Sequence, residues 1–434
     1  MFVSPCVSCE NSGDIHAPPI MGDHVGAGAF GEVYLVNVEA SRDALAHFHV
    51  KVPKDVKILI MKLARFYPST VPPSPGMSYD DLDFSQKEHL KMEEAEVKFQ
   101  NERGNLYMLN DMPGLEDAFP KIYAYRKMCC DTQSDIVFLG LFMQYAGLSL
   151  DAYIKKGLLP EGDEAKRLIN HIIGRLIHIV ATLHAKGYVH ADLKPGNIAI
   201  EETKEEEFPL VRVLDVGSLC SWKEEAGEPC MPKAVTAPYT HFPLLAKTWT
   251  WDESGGRLPK MAYACLGRIH DWYGLIGTAY SLMHAAGLLD PSFKPWMEFV
   301  DTISVMNMPN KESYPRILSD LREIFSRVGK EFSFANLFIK ILDLDLEAVI
   351  ALPETLDDLP HEVETLCGAL DGIDREGEGK RQKTEIISIP GPHYPRSRSR
   401  RPHHPLPVPL IDPSRLPADP RRREPVPLYD PEAV

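Results

Sequence analysis

Apolar residues along the chain recur with two periods, and the change from one to the other predicts the order of its elements. From Met21 to about Val52 the alternation is close to two, predicting three strands, the first two joined across Gly26-Ala27-Gly28-Ala29-Phe30-Gly31 and the third read at Phe48-His49-Val50-Lys51-Val52. Ser85-Gln86-Lys87-Glu88 has the spacing of a capping box and predicts a helix running past Glu102 to Leu109. The apolar run Ile136–Tyr145 predicts a buried strand. From Asp163 to Ala185, Leu168, Ile172, Leu176, Ile179 and Leu183 fall on one face of a core helix, with Gly187 placed to end it. Ile198-Ala199-Ile200 and Val211–Leu214 predict two further strands. Helical patterning then continues through Leu318, Leu321 and Phe325 to Leu337 and Leu342, and fades by about Leu370.

Two segments break the pattern. Pro68–Asp83 is rich in Pro and Ser and predicts an insertion, and Glu201–Glu207 predicts a solvated hairpin tip. The chain after residue 370 changes composition: 13 of the 37 prolines follow Ile389, interleaved with Ser397-Arg398-Ser399-Arg400-Arg401 and Arg421-Arg422-Arg423. Such a net basic, Pro-rich stretch cannot bury a core and is expected to be disordered. Its Pro405-Leu406-Pro407-Val408-Pro409 run suits an SH3- or WW-type groove, and its Arg clusters suit nucleic acid, acidic lipid or the acidic surface of the chain itself.

At 434 residues, 44 % hydrophobic and 25 % charged, the composition is that of a globular protein with ample core. A net charge of −15 argues against nonspecific binding of the body to nucleic acid or anionic membrane. The longest apolar run, Ile172–Leu183, is broken by Gly174, Arg175 and His178, so no membrane span is expected. The N-terminus lacks the basic start and apolar core of a secretory signal, and a cytoplasmic location is expected, with the nucleus and non-classical export left open. The eight cysteines are scattered and do not read as a disulfide framework; Cys6-x-x-Cys9 with His16 is half a zinc site, read as part of a leader with reduced thiols.

The stretch with the densest chemistry is His190-Ala191-Asp192-Leu193-Lys194-Pro195-Gly196-Asn197, one tight loop between the core helix and a strand. An Asp can take a hydroxyl proton, a Lys two residues on can balance phosphate charge, and an Asn five residues on can hold a metal ion. These residues resemble the catalytic loop of eukaryotic-type protein kinases, His-Arg-Asp-Leu-x-x-x-x-Asn, with Ala191 in place of Arg. In the same order as in that family stand Gly26–Tyr34, resembling the glycine-rich loop; Glu102, within an Asn-Glu-x-x-x-Leu-x-Met-Leu phrase that is distantly casein-kinase-like; and Met143-Gln144-Tyr145-Ala146-Gly147, resembling the hinge. Asp215-Val216-Gly217, Thr236–Pro243 and Asp271-Trp272-Tyr273-Gly274 resemble the Asp-Phe-Gly motif, the substrate-docking stretch and the buried aspartate beneath the catalytic loop.

The resemblance implies an α+β bilobal protein-kinase fold. A leader would span 1–20, the kinase domain 21–370 with a β-rich N-lobe (21–145) and a helical C-lobe (146–370), and the tail 371–434. It implies ATP under Gly26, Gly28, Phe30 and Gly31, its adenine against Val33, Met143, Tyr145 and Ala146. Lys51, oriented by Glu102, would meet the phosphates, with Lys54 and Lys57 as substitutes and Glu94 and Glu96 as rival acids. Mg²⁺ would lie on Asn197 and Asp215, with Asp192 and Lys194 at the acceptor hydroxyl of a protein substrate. Lys194 favours Ser/Thr acceptors, and Ala191 removes the usual partner of an activation-segment phosphate, implying activity without that modification. His49, Ala191, Val216 and Leu244 depart from the family and keep open a nucleotide-binding pseudokinase or scaffold, and a small-molecule kinase is the other alternative.

Overall fold

The computed structural model describes residues 2–3, 20–28, 31–66, 83–129, 137–202, 207–221, 236–240, 260–303, 308–309, 313–344, 346 and 361–384. The insertion at 68–82, residues 203–206 of the acidic tip, Phe30, the Cys6–Cys9 pair, Leu244 and the tail beyond Thr384 lie outside these. The N-terminal region is an antiparallel sheet and the C-terminal region is mainly helical.

Six strands form the sheet: β1 (Phe2–Val3), β2 (Ile20–Gly28), β3 (Gly31–Asn37), β4 (Ile58–Phe66), β5 (Ile122–Cys129) and β6 (Val137–Gln144). Their order is β1-β2-β3-β4-β6-β5, every pair antiparallel. Phe2 and Val3 pair with Met21 and Ile20, so this piece of the expected leader belongs to the sheet.

The third predicted strand is not one. Helix α1 (Arg42–His47) precedes Phe48, and His49 adopts a positive φ of 51°, which an extended strand cannot contain. Phe48 and Val50 are buried because they close, with Ala44 and Leu45, over the outer face of the sheet, against Tyr34, Val36, Leu59 and Met61. Alternation of apolar side chains over so short a stretch reflects this plug rather than pairing. The true third strand is β4, in which Leu59, Met61 and Leu63 face that outer core while Ile60 and Lys62 take the other face.

Helix α2 (Phe84–Asn110) opens two residues before the predicted box. Asp83 accepts from Gln86 N at 2.8 Å and Gln86 Oε1 accepts from Asp83 N at 3.1 Å, a reciprocal cap contributing about 1 kcal/mol. Its buried stripe is Met92, Ala95, Phe99, Leu106 and Leu109, with one carboxylate, Glu102, in line with them. This stripe packs with Leu139, Leu141 and Met143 of β6, in a core that continues without a break into the helical region.

There, β7 (Leu148–Ser149) and α3 (Leu150–Lys155) lead to α4 (Gly162–Ala185), which matches the predicted core helix. It is long and apolar enough to cross a membrane, but 72 % of its most apolar window is buried inside the protein, where α5 (Lys260–Ala285) packs on it. Between them lie β8 (Tyr188–Val189), the hairpin β9 (Ile198–Glu201) and β10 (Leu210–Val213), and β11 (Cys220–Ser221), which pairs with β8. Helices α6 (Trp296–Phe299), α7 (Tyr314–Val328) and α8 (Ala335–Leu342) follow, with a short ladder of β12 (Thr302–Ile303) and β13 (Met308–Pro309).

The last described element, α9 (His361–Thr384), carries residues 371–384 out of the predicted tail. Its polar composition hides a buried edge of Leu366, Leu370, Ile373 and Asp374, which lies against α4 and α5. Cys367 on that edge forms a disulfide with Cys265 of α5, their Cα atoms 5.6 Å apart and 102 residues apart in sequence. The scattered cysteines, which do not read as a disulfide framework in the sequence, thus include at least this one bonded pair.

Candidate active site

Helix α4 is closed two residues past its end by Gly187, whose φ of +86° turns the chain into β8 and then into His190–Asn197. This loop is suspended from Asp271 of α5: one carboxylate oxygen accepts from His190 N and the other from Ala191 N, both at 2.7 Å. Ala191 has a φ of +68°, costly for an L-residue, and two charge-assisted bonds on its flanking amides hold it there. Gly274, one turn further along α5, makes the approach possible, since a Cβ there would meet Leu193 O at 2.5 Å. His190 Nδ1 accepts from Asp192 N at 3.3 Å while Nε2 donates to Leu214 O at 3.2 Å, fixing one neutral tautomer. Leu214 N in turn donates to Asn197 O at 2.7 Å, so the residue before Asp215 is tied to the loop twice.

Both Asp192 carboxylate oxygens are held. Thr236 donates to Oδ1 from its backbone N at 3.0 Å and from Oγ1 at 2.7 Å. Lys194 Nζ and Asn197 Nδ2 donate to Oδ2 at 2.8 and 2.9 Å, and Lys194 also donates to Thr236 Oγ1 at 2.5 Å. Asn197 Nδ2 has a second acceptor, Asp192 O at 2.8 Å, so its Oδ1 is left as the acceptor end of the amide. A carboxylate gripped from four directions has one orientation, which is what a proton acceptor for an incoming hydroxyl needs.

On the sheet side, the structure replaces the predicted lysine. Lys51, Lys54 and Lys57 are exposed in the loop between α1 and β4. Lys62 of β4 instead forms the ion pair with Glu102 of α2, and its Nζ lies 3.9 Å from Asp215 Oδ1. The rival acids make surface pairs, Glu94 with Lys98 and Glu96 with Lys127. Burial works against the Lys62 ammonium, yet Glu102 and Asp215 outweigh it and hold its pKa above the ordinary lysine value. Lys62, aided by the Gly217 amide and by Lys194, keeps the Asp215 carboxyl below the usual range despite burial. The available signal for Lys62 was a lysine at the centre of an otherwise apolar nine-residue strand, Ile58–Phe66, whose other cation is Arg65 near its end.

Asp215 adopts a left-handed φ of 52° before a short 3-10 turn, Val216–Ser218, in which Val216 is fully buried. Asn105 of α2 donates to Val216 O at 2.9 Å across 111 residues of sequence. The glycine turn joins β2 to β3 with Gly28 opposite Gly31. At Gly31, with φ +149°, a Cβ would strike Leu63 O of β4 at 2.4 Å, whereas nothing lies within 4 Å of a Cβ at Gly26. Val33 pairs in register with Lys62 on the adjoining strand. Met143 is the penultimate residue of β6, and Tyr145 and Ala146 follow its end into Gly147, where the φ of +94° and the 2.0 Å at which a Cβ would meet Ile200 O exclude any side chain.

The donor set suits a small hard cation: one amide oxygen, Asn197 Oδ1, and one ionised carboxylate, Asp215, joined by structure rather than by sequence neighbourhood. Among the described residues no group of three or more His, Cys, Asp or Glu forms a self-sufficient metal cluster, so further oxygens would come from a ligand and water. Lys62 adds a fixed positive charge beside Asp215 for an anionic ligand.

No family model matches the chain, and no curated protein matches it in sequence. Among solved structures it is similar to the PknI kinase domain of Mycobacterium tuberculosis, in a double-mutant form, at 15 % identity over 81 % of this chain and 93 % of that one, with a TM-score of 0.36.

Proposed function

We propose that this chain is an ATP- and Mg²⁺-dependent protein kinase of bilobal fold that transfers the γ-phosphoryl group to serine and threonine hydroxyls. The observation that carries the reading is the meeting of two constellations at one place: Asp192 clasped by Thr236, Lys194 and Asn197, and Lys62 paired with Glu102 beside Asp215. Either alone is a hydrogen-bonded loop or a buried ion pair. Together they supply an oriented base, a phosphate-facing cation and oxygen ligands for a metal.

Asn197 Oδ1 and the Asp215 carboxylate would hold the magnesium ion, which supplies charge neutralisation on the nucleotide phosphates. Lys62, oriented by Glu102, would bind phosphate oxygens. The Gly26–Gly31 turn would bring backbone amides over them, and the Met143–Ala146 stretch would meet the adenine edge. Asp192 would align the acceptor hydroxyl and receive its proton, and Lys194 would offset charge on the transferring group. With Lys62 in this role, the residue two positions before the lysine is Ile60, an ordinary apolar neighbour for a ring, and the misfit of His49 disappears. Ala191 places a buried methyl where an arginine would answer a phosphate, supporting activity that needs no activation-segment phosphorylation.

The test is transfer of labelled γ-phosphate from Mg-ATP to a peptide library, with Asp215→Ala beside the wild type. Label on seryl or threonyl peptides, lost in the variant, is the expected result. Label on sugars, amines or lipid head groups instead, or nucleotide binding with no transfer, would replace the proposal by a small-molecule kinase or a binding scaffold.

A further inference from the structure

Beneath the catalytic loop lies a buried charge network that reaches the C-terminal helix. His184, at the end of α4, is wholly enclosed, and its two ring nitrogens face two carboxylates: Nε2 is 3.1 Å from Asp271 Oδ2 and Nδ1 is 2.9 Å from Asp374 Oδ1. Asp374 belongs to α9. Its Oδ1 also accepts from Trp272 Nε1 at 3.0 Å, and its Oδ2 lies 2.7 Å from Arg268 Nη2, which pairs with Asp371 as well, at 2.8 Å. The same Asp271 holds the His190 and Ala191 amides, two residues from Asp192.

A neutral imidazole has one N–H and one lone pair, so it cannot donate to both carboxylates. The geometry therefore calls for an imidazolium, with charges running Arg268⁺, Asp374⁻, His184⁺, Asp271⁻. Burial opposes that charge, but Asp374 and Asp271 outweigh it and raise the His184 pKa. Asp374 is kept ionised against its own burial by His184, Arg268 and the Trp272 indole. The charged groups facing His184 are Asp271 from α5 and Asp374 from α9, with Arg268 and Asp371 one contact further out. The match between α9 and α5 is extended, since Cys367 meets Cys265, Asp371 meets Arg268 and Asp374 meets Trp272 at successive turns.

We propose that Asp374 is a positioning residue for the catalytic loop, acting through His184 and Asp271. It fixes the ring so that Nε2 points at Asp271, and keeps that ring charged so that Asp271 remains a paired carboxylate while it holds the strained Ala191. The proposal rests on the kinase reading only in calling the suspended loop catalytic.

In Asp374→Asn the amide can still take the Nδ1 and indole protons but supplies no charge. His184 then loses its proton at a lower pH, above which one ring nitrogen meets an oxygen lone pair to lone pair. Two measurements test this. In ¹⁵N-histidine-labelled wild type at pH 7.5, the His184 resonance, assigned by its loss in His184→Gln, should be that of an imidazolium with both N–H protons slow to exchange; a neutral ring would overturn the proposal. In Asp374→Asn, hydrogen-exchange protection at the His190 and Ala191 amides should fall about tenfold at pH 8, recover toward pH 6, and be restored in Asp374→Glu, while β3 and β4 stay as in the wild type. The turnover rate should follow the same pH course, with KM for ATP within about twofold. Unchanged protection at the two amides, or a loss spread evenly over the whole molecule, would also overturn it. Should Asp374→Asn not fold, the wild-type resonance decides. A wild type with this exchange pattern and no phosphoryl transfer would sink the kinase reading and leave the positioning role standing.

Discussion

Lys62 and Glu102 are 40 residues apart in sequence and form an ion pair between the sheet and helix α2, with Asp215 3.9 Å from the lysine on its other side. Glu102 is buried and Lys62 partly so, and removing one partner leaves the other uncompensated. Lys62→Met should lower phosphoryl transfer by about 10²-fold or more, since a fixed charge at the phosphates is lost. Lys51→Met, in an exposed loop, should fall within about twofold of wild type. Side-by-side transfer assays check this, and equal losses would return the role to the loop.

Thr236 presents a different expectation. Its hydroxyl is the only side-chain group that both donates to Asp192 and accepts from Lys194 among the described residues. Thr236→Val should cost about 10- to 100-fold in the turnover rate with ATP affinity preserved, because it disorders the base without touching Lys62. Thr236→Ser should restore most of it. By contrast, Ser218→Ala with Ser221→Ala should leave activity near wild type, given Ala191; a collapse would mean that a phosphate there finds some other cation.

How much of this could be read from the chain depended on whether the information was local. The strands ending at Gly28 and starting at Gly31, helix α4 and the loop from His190 to Asn197 are written in contiguous residues, and the structure places them where the sequence predicts them. Lys62 was missed because the insertion of α1 and its following loop moves the third strand 10 residues along, while Phe48 and Val50 imitate strand alternation by plugging the outer face of the sheet. The cap at Asp83 was missed because Ser85 offers the same chemistry two residues later. Helix α9 and the Cys265–Cys367 bond depend on partners about a hundred residues away, which no local period reports.

That disulfide has its own test. Closing a loop of about 100 residues removes conformational entropy from the unfolded chain, and bonds of this kind contribute about 2–4 kcal/mol. Denaturant unfolding should show a midpoint that falls on adding reductant. A Cys265→Ser, Cys367→Ser double variant should show a smaller fall on adding reductant than the wild type. An unchanged wild-type midpoint would show that the bond contributes nothing.

His270 offers a pH signature. It is fully enclosed, neither ring nitrogen has a hydrogen-bond partner among the described residues, and burial pulls its pKa from 6.5 down to about 4. The unfolded chain takes up a proton as pH falls below 6.5 and the folded one does not until about 4, so the group withdraws stability over that window. At 1.36 kcal/mol per pKa unit the loss approaches about 3 kcal/mol. The unfolding free energy of His270→Leu, measured at pH 7 and pH 4.5, should drop less than that of the wild type. Parallel drops would show that the ring is solvated.

The bond from Asn105 to Val216 links what would otherwise be two independent adjustments. One helix carries both the acid that steadies Lys62 and the amide that steadies the turn after Asp215, three residues apart. Any outward slide of that helix must release the ammonium and let the Asp215 turn swing in the same movement. Ligand charge and metal coordination would then be lost together, which makes the helix a single lever for switching the cleft off.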